Sequence, residues 1–252
     1  MHTLLENIFT TGTVLSENGE VYPLHSHISL AEGLALQRII EEFKPVCSLE
    51  IGFAYGISAL FICEAMKKVG GKKHIIIDPE QSSHRWRNVG KANLQRAHYD
   101  QMVDFYELPA HRALPLLEAQ HTKIDFAFID GWHTFDHALV DFFLVDCLLN
   151  VGGIIAFDDT HYASVRKVCR FVVTNRAYHV IHCVRENRQD RQQARNRLPS
   201  AVTRVCPSFV RALLKPELIQ SDRDLGLDVN ATCIFLQKQA DDDRSYNFHR
   251  IF

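Results

Sequence analysis

Residues 46–56 read VCSLEIGFAYG, and this stretch decides the fold. A short apolar run ends at Glu50 and Ile51, and two glycines, Gly52 and Gly56, enclose a turn before the helical pattern of residues 57–68. Glycine suits a position where the backbone turns tightly or approaches a ligand closely. The free N–H groups at the start of the next helix suit an anionic group such as a carboxylate. The stretch therefore predicts a strand, a ligand-binding turn and a helix.

The spacing of this turn separates it from the common dinucleotide-binding turn. It is E-x-G-x-x-x-G, whereas dinucleotide binders use G-x-G-x-x-G. Glu50 would repel a pyrophosphate and favours a cofactor that carries an ammonium group, as S-adenosylmethionine (SAM) does. The next strand ends on Asp78, whose carboxylate can accept both hydroxyls of a ribose, with Glu80 as the fallback. Either glycine alone would indicate no more than a turn, but the combination is more specific.

Outward from this turn, strands alternate with helices, which predicts a mostly parallel sheet. The predicted strands are residues 46–51, 74–77, 103–108, 124–129, 154–157, 178–184 and 232–237. A helix is expected at 83–97, and the helix at 134–149 is apolar nearly all round, so it is expected to be well buried. We predict one domain over residues 1–252, with an N-terminal extension at 1–28 and an insertion at 185–230. The Arg-rich and Gln-rich start of that insertion predicts a solvated helix or loop, or alternatively a lid over the substrate.

Composition excludes several classes of function. The 28 basic and 30 acidic residues leave a formal charge of -2, so no basic excess favours nucleic acid. No window approaches the ~20 apolar residues of a membrane span, and the first ten residues do not resemble a signal peptide. The seven cysteines are scattered, contain no C-x-x-C and are expected to be small buried hydrophobes in a reducing compartment. We therefore expect a cytoplasmic protein with a small-molecule substrate.

Two acidic clusters follow neighbouring strands of the predicted sheet. Asp130 and His133 follow the fourth strand, and Asp158 and Asp159 follow the fifth. Because ligands of an open α/β sheet bind at the carboxyl ends of its strands, the two clusters can converge. Three converging carboxylates predict a hard cation, Mg²⁺ or alternatively Mn²⁺ or Ca²⁺, although Asp-Asp after a strand is also common turn chemistry. His133 is the predicted general base, and His161 is the runner-up.

With these motifs in place, the sequence resembles the class I SAM-dependent methyltransferases from about residue 29 to 174 and again at the last two strands. The resemblance implies a Rossmann-like α/β fold: a seven-stranded, mostly parallel sheet with an antiparallel last strand and helices on both faces. It also implies that residues after the third strand lie near the adenine. The cofactor-binding residues expected on these grounds are Glu50, Gly52, Phe53, Ala54, Tyr55, Gly56, Ser58, Asp78, Ala110, His111 and Asp130.

The run DGWHTFDHALVDFFLVDCLLNVGGIIAFDD, residues 130–159, narrows the resemblance. It is similar to the metal-dependent, macrocin-type O-methyltransferases, which act on sugar hydroxyls. That similarity implies Mg²⁺ on Asp130, Asp158 and Asp159, with His133 as the base. The first acid of the pair is often Glu in that family and is Asp158 here. The plant caffeoyl-CoA type is also similar but has Asp-Asn in place of Asp-Asp.

The expected activity is transfer of a methyl group from SAM to a hydroxyl of a small molecule, sugar or phenol-like, with a homodimer suggested by family analogy. Three alternatives stay open. The first is a metal-independent methyltransferase that acts on another nucleophile. The second is a SAM-binding protein that has lost catalysis. The third is an NAD(P)-dependent oxidoreductase, which the glycine spacing and Glu50 disfavour.

Overall fold

A computed structural model describes residues 2–185, 220–248 and 250–252, and its centre is a seven-stranded sheet. The strands are β3 (Cys47–Ile51), β4 (Lys73–Ile77), β5 (Val103–Tyr106), β6 (Ile124–Ile129), β7 (Leu149–Phe157), β8 (Tyr178–Arg185) and β9 (Ala231–Lys238). Their order is β5-β4-β3-β6-β7-β9-β8. All neighbours from β5 to β7 pair in parallel, while β9 is antiparallel to both β7 and β8. The predicted fold class is therefore confirmed.

Helices cover both faces of this sheet. One face packs against α2 (Leu30–Phe43), α3 (Ile57–Val69) and α4 (Val89–Arg96), and the other against α5 (Ala110–Ala119), α6 (Phe135–Leu148) and α7 (Ala163–Asn175). Successive side chains of a strand point to opposite faces of the sheet. Leu49 and Ile51 of β3 therefore face the α5–α7 core, and Phe126 and Phe128 of β6 face the α2–α4 core. Two apolar faces explain why the strands have near-continuous apolar sequences.

The N-terminal extension packs on the α2–α4 face. It forms α1 (Thr3–Thr11) and a hairpin of β1 (Thr13–Leu15) and β2 (Val21–Pro23). Leu5 and Ile8 of α1 are buried in that core. Arg96 fixes the hairpin to α4 by donating to the backbone carbonyls of Leu15 and Ser16. The sequence predicted no elements here, because α1 and the hairpin are short and their patterns are weak.

Two local predictions were wrong. The helix expected at 83–97 begins only at Val89, because residues 79–88 form turns in which Arg87 and Asn88 have positive φ. The α6 helix is not buried all round, since Val140 and Phe143 are 43% and 54% exposed. Packing against the core therefore does not account for all the apolar residues of α6.

Other expectations concern the insertion, the cysteines and membranes. Residues 186–219, where the solvated helix, loop or lid was predicted, lie outside the described residues. Of the described cysteines, Cys63, Cys169 and Cys233 are buried and the other three are half-buried, all as free thiols. The longest helices in the described part of the chain, α2 and α6, have 14 residues, and none there has the length and apolarity to cross a membrane.

A buried carboxylate on α6 yields a stability prediction. Asp141 lies behind the loop that follows β6, and a Cβ on Gly131 would be 3.3 Å from its Oδ2. Burial raises the pKa of Asp141 from 3.8 to about 6. Since the unfolded chain loses this proton at lower pH, ionisation of Asp141 lowers the free energy of unfolding as pH rises from about 4 to about 6.

We predict that Asp141→Asn makes the protein more stable than its parent at pH 8, by up to about 3 kcal/mol, and that the gain vanishes near pH 4. Urea unfolding at both pH values measures this difference. Asp136→Asn on the same helix is the matched control and should gain nothing, because a hydrogen bond from Thr134 lowers the pKa of Asp136. A less stable Asp141→Asn protein at pH 8 would contradict the prediction.

Candidate active site

The turn between β3 and α3, here called the cofactor loop (residues 52–56), is braced by Asp78 at the end of β4. The backbone N–H groups of Phe53 and Ala54 donate to Asp78 Oδ2 at 2.9 and 3.2 Å, and that of Glu80 donates to Oδ1 at 2.8 Å. Ala54 has a φ of 47°, a left-handed conformation that these bonds help to hold. Asp78 thus lies beside the cofactor loop, and part of its bonding capacity already shapes that loop.

Glu50 lies behind the cofactor loop rather than in it. It is fully buried, accepts a hydrogen bond from Ser58 on the first turn of α3, and its Oε2 lies 3.2 Å from His74 Nε2. His74 in turn contacts Ser48 through Nδ1 at 2.9 Å. Glu50 and Ser58, both predicted to contact the cofactor, therefore bind each other, and Glu50 acts on the loop through this buried chain.

Sequence reasoning missed His74. A histidine interrupts an otherwise apolar strand, which is a signal in the sequence. In the structure, the β3–β4 register places this histidine opposite Ser48. Side chains two residues apart in a strand share a face, so His74 lies on the same face as Glu50. What the sequence did not supply was the parallel register that brings the two strands together.

Three further residues that the sequence did not single out support the cofactor loop. The Gln81 side-chain amide donates to the Ala54 carbonyl at 2.9 Å. The Tyr55 hydroxyl lies 2.9 Å from His25 Nε2, and the Trp86 ring meets the Tyr55 ring edge-on at 5.2 Å. The N-terminal extension thus reaches the cofactor loop through His25.

Gly52 and Asp130 connect the cofactor loop to the second cluster of predicted residues. A Cβ on Gly52 would lie 2.0 Å from the carbonyl oxygen of Asp130, and Gly52 has a φ of +86°. Only glycine fits that conformation and that space. Phe53, Tyr55 and Gly56 complete the loop, and a Cβ on Gly56 would meet the Phe53 ring at 2.8 Å.

The loops after β6 and β7 bring Asp130, His133 and Asp159 together. One nitrogen or oxygen atom from each lies within 4.8 Å of the others, and this is the one such group of potential metal ligands found among the described residues. His133 Nε2 is 3.2 Å from Asp159 Oδ2, and His161 Nδ1 is 3.3 Å from Asp159 Oδ1. Asp158, predicted as the third acidic ligand, is not a member of the group.

Electrostatics distinguish the acids in this region. Burial, followed by the nearby Asp159 and Glu50 carboxylates, raises the pKa of Asp130 well above its ordinary value. Burial, followed by Asp130 and Glu32, does the same for Asp158. Each ionised carboxylate here therefore makes ionisation of its neighbours less favourable, and a cation would relieve their repulsion.

Hydrogen bonds fix the loop after β7 on three sides. Thr160 donates through its N–H to the Thr232 carbonyl at 2.9 Å and through its hydroxyl to the Ala231 carbonyl at 3.0 Å. Arg166 Nη2 donates to the Thr160 carbonyl at 2.8 Å, and the Ser164 hydroxyl donates to the His133 carbonyl. The loops after β6 and β7 are thereby held as one unit.

The remaining predicted residues lie at the rim of the site. Ala110 and His111 begin α5 directly after β5, with Ala110 half-buried against the α5–α7 core and His111 exposed. Trp132 is 69% exposed and stacks on His137, and Tyr162, 47% exposed, stacks on His133. This side of the Asp130–His133–Asp159 group is therefore open to solvent and lined with aromatic rings.

Comparison with known proteins agrees with this geometry. Residues 49–160 match the model of a family described as a methyltransferase domain. The match covers a little under half of the chain. Over these residues the chain is similar to methyltransferase domains.

Among curated relatives, this chain is 30% identical over 136 residues to the tapetum-specific methyltransferase 1 of Arabidopsis thaliana. It is 31% identical over 97 residues to the transmembrane O-methyltransferase homolog of Mus musculus. These matches cover 53% and 38% of this chain, and 54% and 36% of the relatives. The chain thus spans about half, or less, of the length of the curated relatives it matches.

Solved structures show the same fold at low identity. The O-methyltransferase from Bacillus cereus in complex with S-adenosylhomocysteine (SAH) has a TM-score of 0.58 at 19% identity, over 72% of this chain and 83% of that one. The O-methyltransferase TomG from Streptomyces achromogenes, in complex with SAM, has a TM-score of 0.53 at 18% identity, over 62% and 73%. At these identities the likeness is evidence for the fold alone.

The buried chain behind the cofactor loop gives a testable prediction. His74→Leu removes a hydrogen-bond partner of the buried Glu50 carboxylate, so we expect the free energy of unfolding to fall by about 1–3 kcal/mol. We also expect SAH to bind about tenfold more weakly, because Ser58 and the start of α3 are positioned through Glu50. Calorimetric titration with SAH and urea unfolding measure the two effects.

Two matched variants accompany this test. His74→Gln keeps an N–H donor and should recover most of the affinity for SAH. His179→Leu changes an exposed histidine of β8 and should alter neither quantity. Unchanged SAH affinity in a folded His74→Leu protein would remove His74 from the support of the cofactor site.

Proposed function

We propose that this protein transfers a methyl group from SAM to a hydroxyl of a small molecule, sugar or phenol-like, with the help of a divalent cation. The observation that carries the proposal is the contact between the Gly52 backbone and the Asp130 carbonyl. It joins a SAM-type cofactor loop to a cluster of acids and histidines at one edge of the sheet. A methyl donor and a deprotonating group are needed within one site for this reaction.

The cofactor roles follow from placement around the cofactor loop. The N-terminus of α3 begins at Gly56 without a side-chain cap, so its N–H groups suit the carboxylate of the methionine moiety. Asp78 is proposed to accept the ribose hydroxyls, and Ala110 and His111 to lie beside the adenine. Buried acids such as Glu50 lower the electrostatic cost of a cofactor that carries a sulfonium and an ammonium group.

The donor atoms of the second cluster fit a divalent cation. Asp130 and Asp159 supply carboxylate oxygens, and the atoms lie close enough to share one ion. A cation held there would lower the pKa of the acceptor hydroxyl and help to orient it. The predicted participation of Asp158 has less support, because this residue is only 7% exposed and is not a member of the group.

The protein's own groups would complete the chemistry by proton removal and alignment. His133 and His161 flank the two oxygens of Asp159, and these imidazoles are the groups proposed to take the hydroxyl proton. The deprotonated oxygen would then attack the methyl group in line, and much of the acceleration would come from holding the two reactants in register. The open aromatic rim at Trp132 and Tyr162 leaves room for the acceptor.

Other properties of the chain are compatible with this role. The free thiols of the described cysteines suit the reducing cytoplasm that we propose as its compartment. The formal charge of -2 gives no reason to expect a nucleic-acid substrate. A homodimer is proposed by family analogy, and the exposed Val140 and Phe143 of α6 would suit such a contact.

The three alternative functions differ in which residues of the site they require. The NAD(P)-dependent oxidoreductase is disfavoured by the buried acid behind the cofactor loop and by the family match. A metal-independent methyltransferase or a silent SAM-binding protein would keep Asp78 and the cofactor loop but would not need Asp130 and His133 to converge with Asp159. The convergence of these three side chains favours the metal-assisted reaction.

Titration with SAH tests the cofactor assignment. We expect EDTA-treated protein to bind SAH with a Kd of roughly 1–100 µM and NAD⁺ not at all. Asp78→Asn should weaken SAH binding at least about tenfold, because it removes the negative charge and one of the two acceptor oxygens that brace the cofactor loop and are proposed to bind the ribose. Asp100→Asn, a change of an exposed acid, is the control. Absence of SAH binding by the folded parent protein would overturn the proposed function.

A further inference from the structure

The two consecutive acids after β7 have different surroundings. Asp158 is buried, and it is not a member of the group whose donor atoms lie within 4.8 Å of one another. Asp159 has a φ of 51°, which turns the chain there, and its side chain is 28% exposed between His133 and His161. The acid pair therefore does not present two carboxylates to one point.

What converges instead is a mixed set of donors. Asp130 contributes a carboxylate oxygen, His133 an imidazole nitrogen and Asp159 a carboxylate oxygen. Ligands about 2.1 Å from one ion and at right angles lie about 3 Å apart, and ligands on opposite sides lie about 4.2 Å apart. The 3.2 Å between His133 Nε2 and Asp159 Oδ2 matches two ligands at right angles. The 4.8 Å limit for the whole group exceeds the widest separation by about 0.6 Å, so side-chain shifts of that order would let all three atoms reach one ion.

The geometry points to a divalent cation held by Asp130, His133 and Asp159, with His133 as a ligand and with Asp158 outside the coordination sphere. This inference rests on the proposed function and gives its cation a different ligand set. An imidazole beside two carboxylates suits Mn²⁺ or Fe²⁺ better than Mg²⁺, which prefers oxygen ligands throughout. The site is thus a mixed nitrogen–oxygen site for a first-row transition ion.

This ligand set changes the role of the histidines. Coordination through Nε2 uses the lone pair that His133 would need as a base. His161, on the other oxygen of Asp159, is the second imidazole at the site and is not occupied in that way by the proposed ligand set. The Ser164 hydroxyl, which donates to the His133 carbonyl, and the stacked Tyr162 ring hold His133 in place.

Adjacent acids supply a matched pair of variants. Asp159→Asn should weaken Mn²⁺ binding more than tenfold, because it replaces a charged carboxylate ligand with a neutral amide. Asp158→Asn should change it less than threefold, even though it alters the neighbouring residue in the same loop. His133→Leu should weaken binding more than tenfold and leave SAH affinity near that of the parent, because no cofactor role is assigned to that side chain. Thermal unfolding confirms that each variant is folded.

The experiment is Mn²⁺ titration of the metal-free 252-residue protein, followed by electron paramagnetic resonance. We expect one bound Mn²⁺ whose pulsed spectrum shows coupling to an imidazole nitrogen, and we expect that coupling to be lost in His133→Leu. Mg²⁺ should displace the Mn²⁺ only at more than tenfold higher concentration. SAH titration of the same samples keeps the test of the cofactor separate from that of the metal.

Several outcomes would overturn the inference. One is Mn²⁺ bound without nitrogen coupling and displaced by equal Mg²⁺, which would indicate an all-oxygen site. Another is loss of binding in Asp158→Asn but not in His133→Leu, which would restore the pair of consecutive acids as ligands. If the protein binds SAH but no Mn²⁺, the metal site is refuted while the cofactor assignment stands. If it binds Mn²⁺ as expected but no SAH, the proposed function fails and the metal site stands.

Discussion

The close approach of Gly52 to the Asp130 carbonyl is the constraint on which the rest of the site depends. At a φ of +86°, with no room for a Cβ, the end of β3 and the end of β6 meet backbone to backbone. Ladder-like bonds continue on both sides, from Gly52 N–H to the Ile77 carbonyl and from Asp130 N–H to the Ile51 carbonyl. The cofactor loop and the first acid of the second cluster therefore cannot move independently. Any side chain at residue 52 would separate the two halves of the site.

Many acids lie behind and beside this contact, and they differ in whether hydrogen-bond partners offset the cost of their burial. Glu50 is bonded to Ser58 and lies against His74, and Glu32 accepts from the Ser29 N–H at 2.8 Å in a capping box at the start of α2. For Asp130, in contrast, burial and like charge dominate and raise the pKa. Structural acids here have bonded partners, whereas the acid at the edge of the sheet has its charge opposed by its neighbours. Such an unfavourable arrangement is typical of a site that meets a cation.

Much of the fold could be predicted because it follows from local pattern. The helix predicted after Gly56 and the apolar strand predicted at residues 124–129 each follow from a short stretch of sequence and are confirmed. The turns before α4 were missed because their geometry comes from contacts distant in sequence, such as the Gln81 side chain that bonds the Ala54 carbonyl. The buried role of His74 was missed for the same reason, since it depends on the pairing of β3 with β4. Hydrophobic periodicity is a local property of the sequence. The partners of polar side chains, in contrast, depend on which elements the topology brings together.

The same distinction explains how the acid pair after β7 could be recognised but not assigned. Sequence alone places two carboxylates after a strand, and equivalence is the natural assumption for neighbours of the same type. One backbone angle, the positive φ of Asp159, removes that equivalence by turning the second acid towards His133 while Asp158 stays buried. The turn is supported by Thr160, whose hydroxyl and N–H bond to β9 and its start, so it depends on a strand that lies more than 70 residues later in the chain. Which acid joins Asp130 and His133 is therefore a property of the assembled sheet.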